Sequence, residues 1–426
     1  MSSISLLPPE GAVNASIAVP GSKSIANRAL ICALLADGES QLVGLPDGDD
    51  TAVIIEVLNQ MKRVSTGDGE VSITGSRDVK LPGIIDAKLA GTSSRFLTAV
   101  AALGSSTSVI DGGEPLRSRP MADLHDALTA LGAEVLPLGV PGHLPVSVEA
   151  GVLHGGQLSV RGDVSSQFIS ALLLIGPMLN DGLVIDVVGE LVSRSYVLMT
   201  AAVMKDFGAT VEVGDKEITV APGGYLPCRF VVEPDYSSAA FPLAAVAVRD
   251  GSIRIPGLSS ASLQGDAEVT NLLGSMGCAV RSVDDSIEVS RGNAPLHGID
   301  INMADCSDLV PAMAVAMLFA DSPSRISGVG FIRKKESDRL GDLADELRKV
   351  GAEILVEDDG LVINPLQEGK PAQLDTHHDH RLAMAFSLLA LAIPGIEISA
   401  PDVVSKSWPS FFTDMGPILG ASSPQH

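Results

Sequence analysis

Short clusters of cations and hydroxyls, each set just before an apolar stretch, are the parts of this 426-residue chain best suited to chemistry. Pro20-Gly21-Ser22-Lys23-Ser24 is a turn running into an apolar helical pattern from Ile25 to Leu35. Lys23 and Ser24 therefore fall where a helix leaves its first N–H groups unbonded, a setting that favours an anion. Arg28 follows Ser24 one turn along the same helical face, so a lysine, a hydroxyl and a guanidinium can share one phosphate or carboxylate. The GxxxxGK[ST] spacing of a P-loop is missing.

The same logic recurs downstream. Ala90-Gly91-Thr92-Ser93-Ser94-Arg95 joins a small residue, which permits close backbone approach, to hydroxyls and an arginine that open a helix containing Phe96 to Ala102. The stretch from Gly112 to Pro120 carries Arg117 and Arg119 in a loop ahead of a helix predicted to start at Pro120. Ser165, Ser166 and Gln167, and then Ser193 and Tyr196, cluster uncharged donors at two further helix starts. Arg333 to Arg339 is a charge run ahead of an amphipathic helix reaching Val350. His377-His378-Asp379-His380-Arg381 lacks HExxH spacing and precedes an apolar helix, so it reads as another anion-binding helix start rather than a metal site. Asp308 precedes a helix with the pattern of a buried one, and Lys406 lies in the loop before Trp408. Each cluster taken alone is equally described as a capped helix or a solvated charge.

The elements that must position these groups are of mixed α/β type. A helical pattern ending in Gly and followed by a short strand recurs at Leu131-Gly132, Phe207-Gly208, Met276-Gly277 and Val350-Gly351, with weaker echoes at Met61-Lys62 and Met415-Gly416. Gly suits the left-handed residue that ends a helix. The spacing of roughly 70 residues exceeds solenoid periods and suggests six small subdomains, three in each of two domains. Any α/β protein repeats helix, Gly and strand, so the phrase is not decisive alone.

Composition narrows the partners. A formal charge of -23 argues against nucleic acid and against an anionic membrane surface, and leaves small acidic substrates that a few converging cations could hold. Cys32, Cys228, Cys278 and Cys306 are scattered without ligand spacing, which suits a reducing cytoplasm. The longest apolar runs, 309–320 and 382–393, are too short to span a bilayer, no basic-then-apolar leader opens the sequence, and nothing beyond the extreme C-terminus suggests disorder.

Taken in order, PGSKSIANRAL at 20–30, AGT at 90–92, SSQF at 165–168, KKESDRL at 334–340 and DHRLAMAFSLLAL at 379–391 resemble the 5-enolpyruvylshikimate-3-phosphate (EPSP) synthase family across nearly the whole chain. The resemblance implies an inside-out α/β fold of two domains, each of three βαβαββ-like units, with the active site in the cleft between them. One domain would span 17–234 and the other 235–426 plus 1–16. It implies transfer of the enolpyruvyl group of phosphoenolpyruvate to the 5-hydroxyl of shikimate 3-phosphate, with no cofactor and no metal, in a cytoplasmic protein that is by family default a monomer. Carried over by position, Lys23, Ser24, Arg28, Ser165, Ser166, Gln167, Ser193, Tyr196, Asp308 and Lys335 match shikimate-3-phosphate contacts. Lys23, Gly91, Arg119, Gln167, Arg339, Arg381 and Lys406 match phosphoenolpyruvate contacts, with Glu336 and His380 beside the reacting carbons. Asp308 would act as base and Glu336 or Lys23 as acid. Leu89, Phe331 and the pair His377-His378 depart from common family residues, while Gly91 keeps the small residue that leaves room for the inhibitor glyphosate.

The related UDP-N-acetylglucosamine enolpyruvyl transferases carry Lys-Asn where this chain has Lys23-Ser24, and typically a loop cysteine; no cysteine occurs between Cys32 and Cys228. A noncatalytic anion-binding relative is a further alternative, against which Asp308, Glu336 and Lys23 stand.

Overall fold

The structure is a computed structural model describing residues 2–421 except 68 and 150; the C-terminal tail therefore lies outside the described residues. The chain divides into two compact units, Gly21–Glu233 and a second assembled from Met1–Pro20 and Pro234–His426. Residues 17–20, which the resemblance places with the first unit, sit with the second. Ile17 N–H bonds Arg254 O at 2.9 Å, and Asp235 N–H bonds Pro20 O at 2.9 Å.

Among the described residues, six four-stranded sheets share one plan. In the sheet that ends the first unit, Gly156–Arg161 runs parallel to Leu183–Val188 with Val160 opposite Val187, and Glu217–Val220 then Val211–Val213 follow antiparallel. The parallel pair needs a crossover, supplied by helix Ser166–Ile175, and helix Arg194–Asp206 leads to the hairpin. The result is a βαβαββ unit. Three sheets borrow a strand from a distant part of the chain. Arg229–Val231 lies parallel to Gly38–Val43, Val13–Ser16 parallel to Gly251–Pro256, and Ser3–Leu7 antiparallel to Ile396–Ser399.

Burial explains why the helices are inside. Helix Lys23–Leu35 is buried at every position from Ile25 onward, and helix Tyr236–Val248 at all of its positions. A helix apolar all round has no face to give water and must be surrounded by protein. The sheets cover it, with alternating strands such as Leu183–Val188 offering one buried face. Helix Gly341–Lys349, by contrast, buries Leu343, Ala344, Glu346 and Leu347 and leaves charged residues outside. Gly132, Gly208, Gly277 and Gly351 all take positive φ, between 82° and 110°, as the recurring phrase requires. Lys62 adopts the same conformation at φ 57°, whereas Gly416 is not among the positive-φ residues.

No helix among the described residues is long and apolar enough to cross a membrane.

Candidate active site

In the first unit the candidate residues gather at helix starts. Arg28 is 2% exposed, and burial pushes its guanidinium down to about 10, against small opposing contributions from Tyr196 and Cys32. Its Nε donates to Thr200 Oγ1 at 2.6 Å, Nη1 to Ser24 O at 2.7 Å, and Nη2 to Ser170 Oγ and Tyr196 O, both at 3.3 Å. Phe96 and Tyr196 stack on it, with ring centres 5.4 and 5.9 Å from Cζ. A buried cation whose hydrogen bonds all go to neutral oxygens lacks the counter-charge that burial normally demands, and an anionic ligand supplies it.

Lys23 is held 3.1 Å from the buried carboxylate of Asp50, which opens helix Asp49–Gln60. Gly91 is the first residue of helix Gly91–Leu103, and Arg95 Nη1 donates back to its carbonyl at 2.8 Å. A Cβ on Gly91 would press on the guanidinium of Arg119, 3.0 Å from its Cζ, so Arg119 lies directly over this helix start. Ser165 caps helix Ser166–Ile175 by accepting from Gln167 N–H, and Gln167 Nε2 donates to Thr92 Oγ1 at 3.3 Å, tying two helix starts together. Ser193 stands at the residue before helix Arg194–Asp206 in a left-handed conformation, φ 53°, and is buried.

The loop before Arg119 differs from the expectation. Glu114–Arg117 forms its own helical turn, and the next helix is Ala122–Ala130, not one starting at Pro120. Asp111 explains the extra turn: it accepts from Arg117 Nε at 2.9 Å and Nη2 at 2.7 Å, holding Arg117 to the loop while Arg119 turns towards Gly91.

The second unit builds an interleaved charge network. Asp308 sits in a 3-10 turn, Ala304–Leu309, before the buried helix Val310–Met317. Arg339 Nη1 donates to Asp308 Oδ1 at 2.8 Å, Nη2 to Glu336 Oε2 at 2.8 Å, and Nε to Asp379 Oδ2 at 2.6 Å. Arg381 Nη2 reaches Asp308 Oδ2 at 2.8 Å, and Lys406 Nζ reaches Glu336 Oε1 at 2.9 Å. Burial alone would raise the Asp308 carboxyl, but Arg381, Arg339 and Lys335 outweigh it and hold the group well below the usual carboxylate range. Burial likewise works against the charged form of Arg339, and Asp379, Glu336 and Asp308 reverse it, raising its affinity for its proton.

Each member has a local reason for its place. Asp379 caps helix His380–Leu389, accepting from Arg381 N–H at 2.9 Å, which fixes both the arginine and the carboxylate. His380, 1% exposed, has Nδ1 3.6 Å from Asp379 Oδ1. Lys406 ends the 3-10 turn Pro401–Lys406, anchored behind by Trp408, whose ring meets Phe411 edge-on at 5.2 Å and whose Nε1 donates to Asp414 at 2.7 Å. Lys335 Nζ lies 5.9 Å over the ring of Phe331, so the aromatic at that departure holds the lysine by a cation–π contact. At the other departures, His377 Nε2 lies 3.0 Å from buried Glu346 Oε1, and Leu89 is half-exposed near Gly113. Asp50, Ser170 and Thr200 are members that the helix-start reading did not single out, while Thr92 and Asp379 lay within its clusters without a role of their own. No cluster able to hold a metal ion occurs among the described residues.

Fold and clusters together define a class: a two-unit inside-out α/β protein with anion-holding groups at the starts of its buried helices. The comparisons make this specific. Residues 7–415 match the family described as EPSP synthase (3-phosphoshikimate 1-carboxyvinyltransferase), and the chain belongs to that family. A 3-phosphoshikimate 1-carboxyvinyltransferase of Shewanella loihica is 38% identical over 418 residues, covering 95% of this chain and 97% of the relative. Another, of Nostoc punctiforme, is 38% identical over 408 residues, covering 94% and 95%. Among solved structures, an EPSP synthase from Acinetobacter baumannii superposes with a TM-score of 0.82 at 25% identity, covering 99% of this chain and all of the other.

Proposed function

We infer that the chain transfers the enolpyruvyl group of phosphoenolpyruvate to the 5-hydroxyl of shikimate 3-phosphate, releasing phosphate, as a step towards aromatic amino acids. The observation that carries the mechanism is Asp308, a carboxylate 2.8 Å from the guanidinium groups of both Arg339 and Arg381. A base and the cations to hold a phosphoryl group thus occupy one place.

Asp308 takes the proton of the 5-hydroxyl as that oxygen bonds to C2 of phosphoenolpyruvate, while C3 gains a proton to become a methyl group. Cleavage of the C2–O bond to phosphate, with loss of a methyl proton, regenerates the vinyl ether. Arg119, Arg339, Arg381 and Lys406 hold the phosphate and carboxylate through charge-assisted hydrogen bonds. Arg28, Ser24, Ser165, Ser166, Gln167, Ser193, Tyr196 and Lys335 hold shikimate 3-phosphate, with Lys23 and Gln167 shared between the substrates. For the acid at C3, Glu336 is the weaker choice, because Arg339 and Lys406, at 2.8 and 2.9 Å, favour its ionised form. The ammonium of Lys23 has a proton to give. Two of the cations that depress Asp308, Arg381 and Arg339, are also assigned to phosphoenolpyruvate, so its anionic groups would strengthen the base on arrival.

Net charge and four free cysteines support a cytoplasmic protein acting on small anions, away from nucleic acid and membrane, and the family resemblance supports a monomer. Asp308→Asn tests the mechanism. Turnover should fall at least about a thousandfold, within the range that loss of a general base causes, while calorimetry still detects shikimate 3-phosphate binding. Near-normal turnover contradicts the base assignment.

A further inference from the structure

Behind Asp308 lies a second carboxylate, Asp266, that the assigned chemistry does not use. It is 3% exposed and sits in the 3-10 turn Gly265–Glu268. That turn packs against the turn carrying Asp308 and against helix Tyr236–Val248. Asp266 Oδ2 accepts a short hydrogen bond from Ser237 Oγ, while Oδ1 is buried without a hydrogen-bond partner. The neighbouring Gln264 holds the turn in place, donating from Nε2 to Pro234 O at 2.8 Å and accepting Tyr236 N–H at 3.0 Å.

We propose that Asp266 is a positioning residue for the reaction, setting the proton affinity of Asp308 through the charge it carries on the adjoining buried turn. The inference rests on the reading of Asp308 as base. Asp308 is flanked by two guanidinium groups that make it a poor base for an alcohol, and a useful base needs a proton affinity nearer the working pH. A negative charge on Asp266 repels the charge on Asp308, which raises that affinity; a neutral Asp266 does not.

The charged and titratable groups acting on Asp266 are consistent with such a switch. Burial, then the charge of Asp308, pushes its carboxyl up to about 7, with Asp235 adding to the rise, while Arg381 and the Ser237 hydroxyl pull it down. Cys306 and Asp305, on the turn carrying Asp308, and Glu268, on the turn of Asp266, are further titratable neighbours; burial first, then Asp266 and Glu268, push the Cys306 thiol up and keep it neutral. These opposing influences place the change of charge on Asp266 near neutral pH. Ionisation of Asp266 switches Asp308 to its stronger form.

The test is the pH profile of kcat for the full chain with both substrates, for wild type, Asp266→Asn and Ser237→Ala, with thermal unfolding and shikimate-3-phosphate affinity measured alongside. Wild type should gain about three- to tenfold in kcat through a limb near pH 7, corresponding to one unit or less of proton affinity at Asp308. Asp266→Asn should lose that limb, matching wild type at pH 6 and falling below it at pH 8, with affinity unchanged. Ser237→Ala removes the hydroxyl that favours the ionised form, so its limb should move to higher pH rather than vanish. A limb unmoved in either variant, or a loss uniform across pH accompanied by lower stability, overturns the proposal. If Asp308→Asn stays active, the base reading itself has failed; if that variant is inactive but Asp266→Asn keeps the wild-type profile, only the role of Asp266 has failed.

Discussion

Gly91→Ala tests the crowding at one helix start. Gly91 does not take the positive φ that would bar alanine, and alanine is a good helix former, so the backbone accepts the change. The new methyl instead meets Arg119, nearest at Nη1 and 3.0 Å from its Cζ, and also lies 3.0 Å from Arg95 Nη1. Carbon contacts settle at about 3.5–4.0 Å, so the guanidinium must retreat by roughly 0.5–1 Å. A charge-assisted hydrogen bond to phosphate spans only about 2.7–2.9 Å, and a displacement of that size breaks it. Such a bond contributes about 1.5–3 kcal/mol, which corresponds to roughly a 10- to 150-fold rise in KM for phosphoenolpyruvate. Initial-rate kinetics with each substrate varied in turn provide the assay. The KM for shikimate 3-phosphate should stay unchanged, Tm should stay within about 2 °C, and competitive inhibition by glyphosate, expected in wild type against phosphoenolpyruvate, should weaken. An unchanged KM for phosphoenolpyruvate would refute the placement of Arg119 on that substrate; an equal rise in both would show that the methyl displaces something other than Arg119.

Other residues give independent expectations. Arg28→Ala removes the buried cation that only neutral groups contact, so the KM for shikimate 3-phosphate should rise at least about tenfold, with phosphoenolpyruvate affinity spared in binding measurements. Asp50→Asn deprives Lys23 of the carboxylate 3.1 Å away; kcat should fall about tenfold with Tm little changed, whereas wild-type kcat would show that Asp50 does not orient the lysine. His125 is pushed down to about 4, mainly by burial, with Arg95 and His143 contributing and Asp126 opposing. Its folded-state value lies below the unfolded one, so the unfolded chain binds the extra proton between about pH 6.5 and 4, and stability falls as pH drops through that window. The loss should reach up to about 3 kcal/mol; denaturant melts of His125→Gln should lack this part of the decline, and an identical decline would show that His125 does not titrate on unfolding.

Much of the candidate site was legible because its groups sit next to helix starts, where hydroxyl, glycine and cation types follow from the chain's need to cap helices and accept anions. Lys23, Arg28, Gly91 and Gln167 could be picked out that way. The recurring glycines marked helix ends for the same local reason. Partners brought in from afar left no such mark. Thr200 lies 172 residues from Arg28, and Asp379 lies 40 from Arg339, so neither pairing has a spacing rule that would reveal it. Asp50 carries no sequence signal that pairs it with a cation, and only folding sets it against Lys23. The misplaced helix start at Pro120 has a similar cause, since the turn Glu114–Arg117 depends on Asp111, a residue at the end of the preceding strand. Asp266 was invisible to sequence because an aspartate following Gly265 reads as a loop residue until burial is known.

Phosphate release from phosphoenolpyruvate tests the central claim most directly, measured with shikimate 3-phosphate, with UDP-N-acetylglucosamine and with no acceptor. Release should occur with shikimate 3-phosphate alone, with the enolpyruvyl ether as the accompanying product. Release only with the sugar nucleotide, or none with any acceptor, would contradict the account.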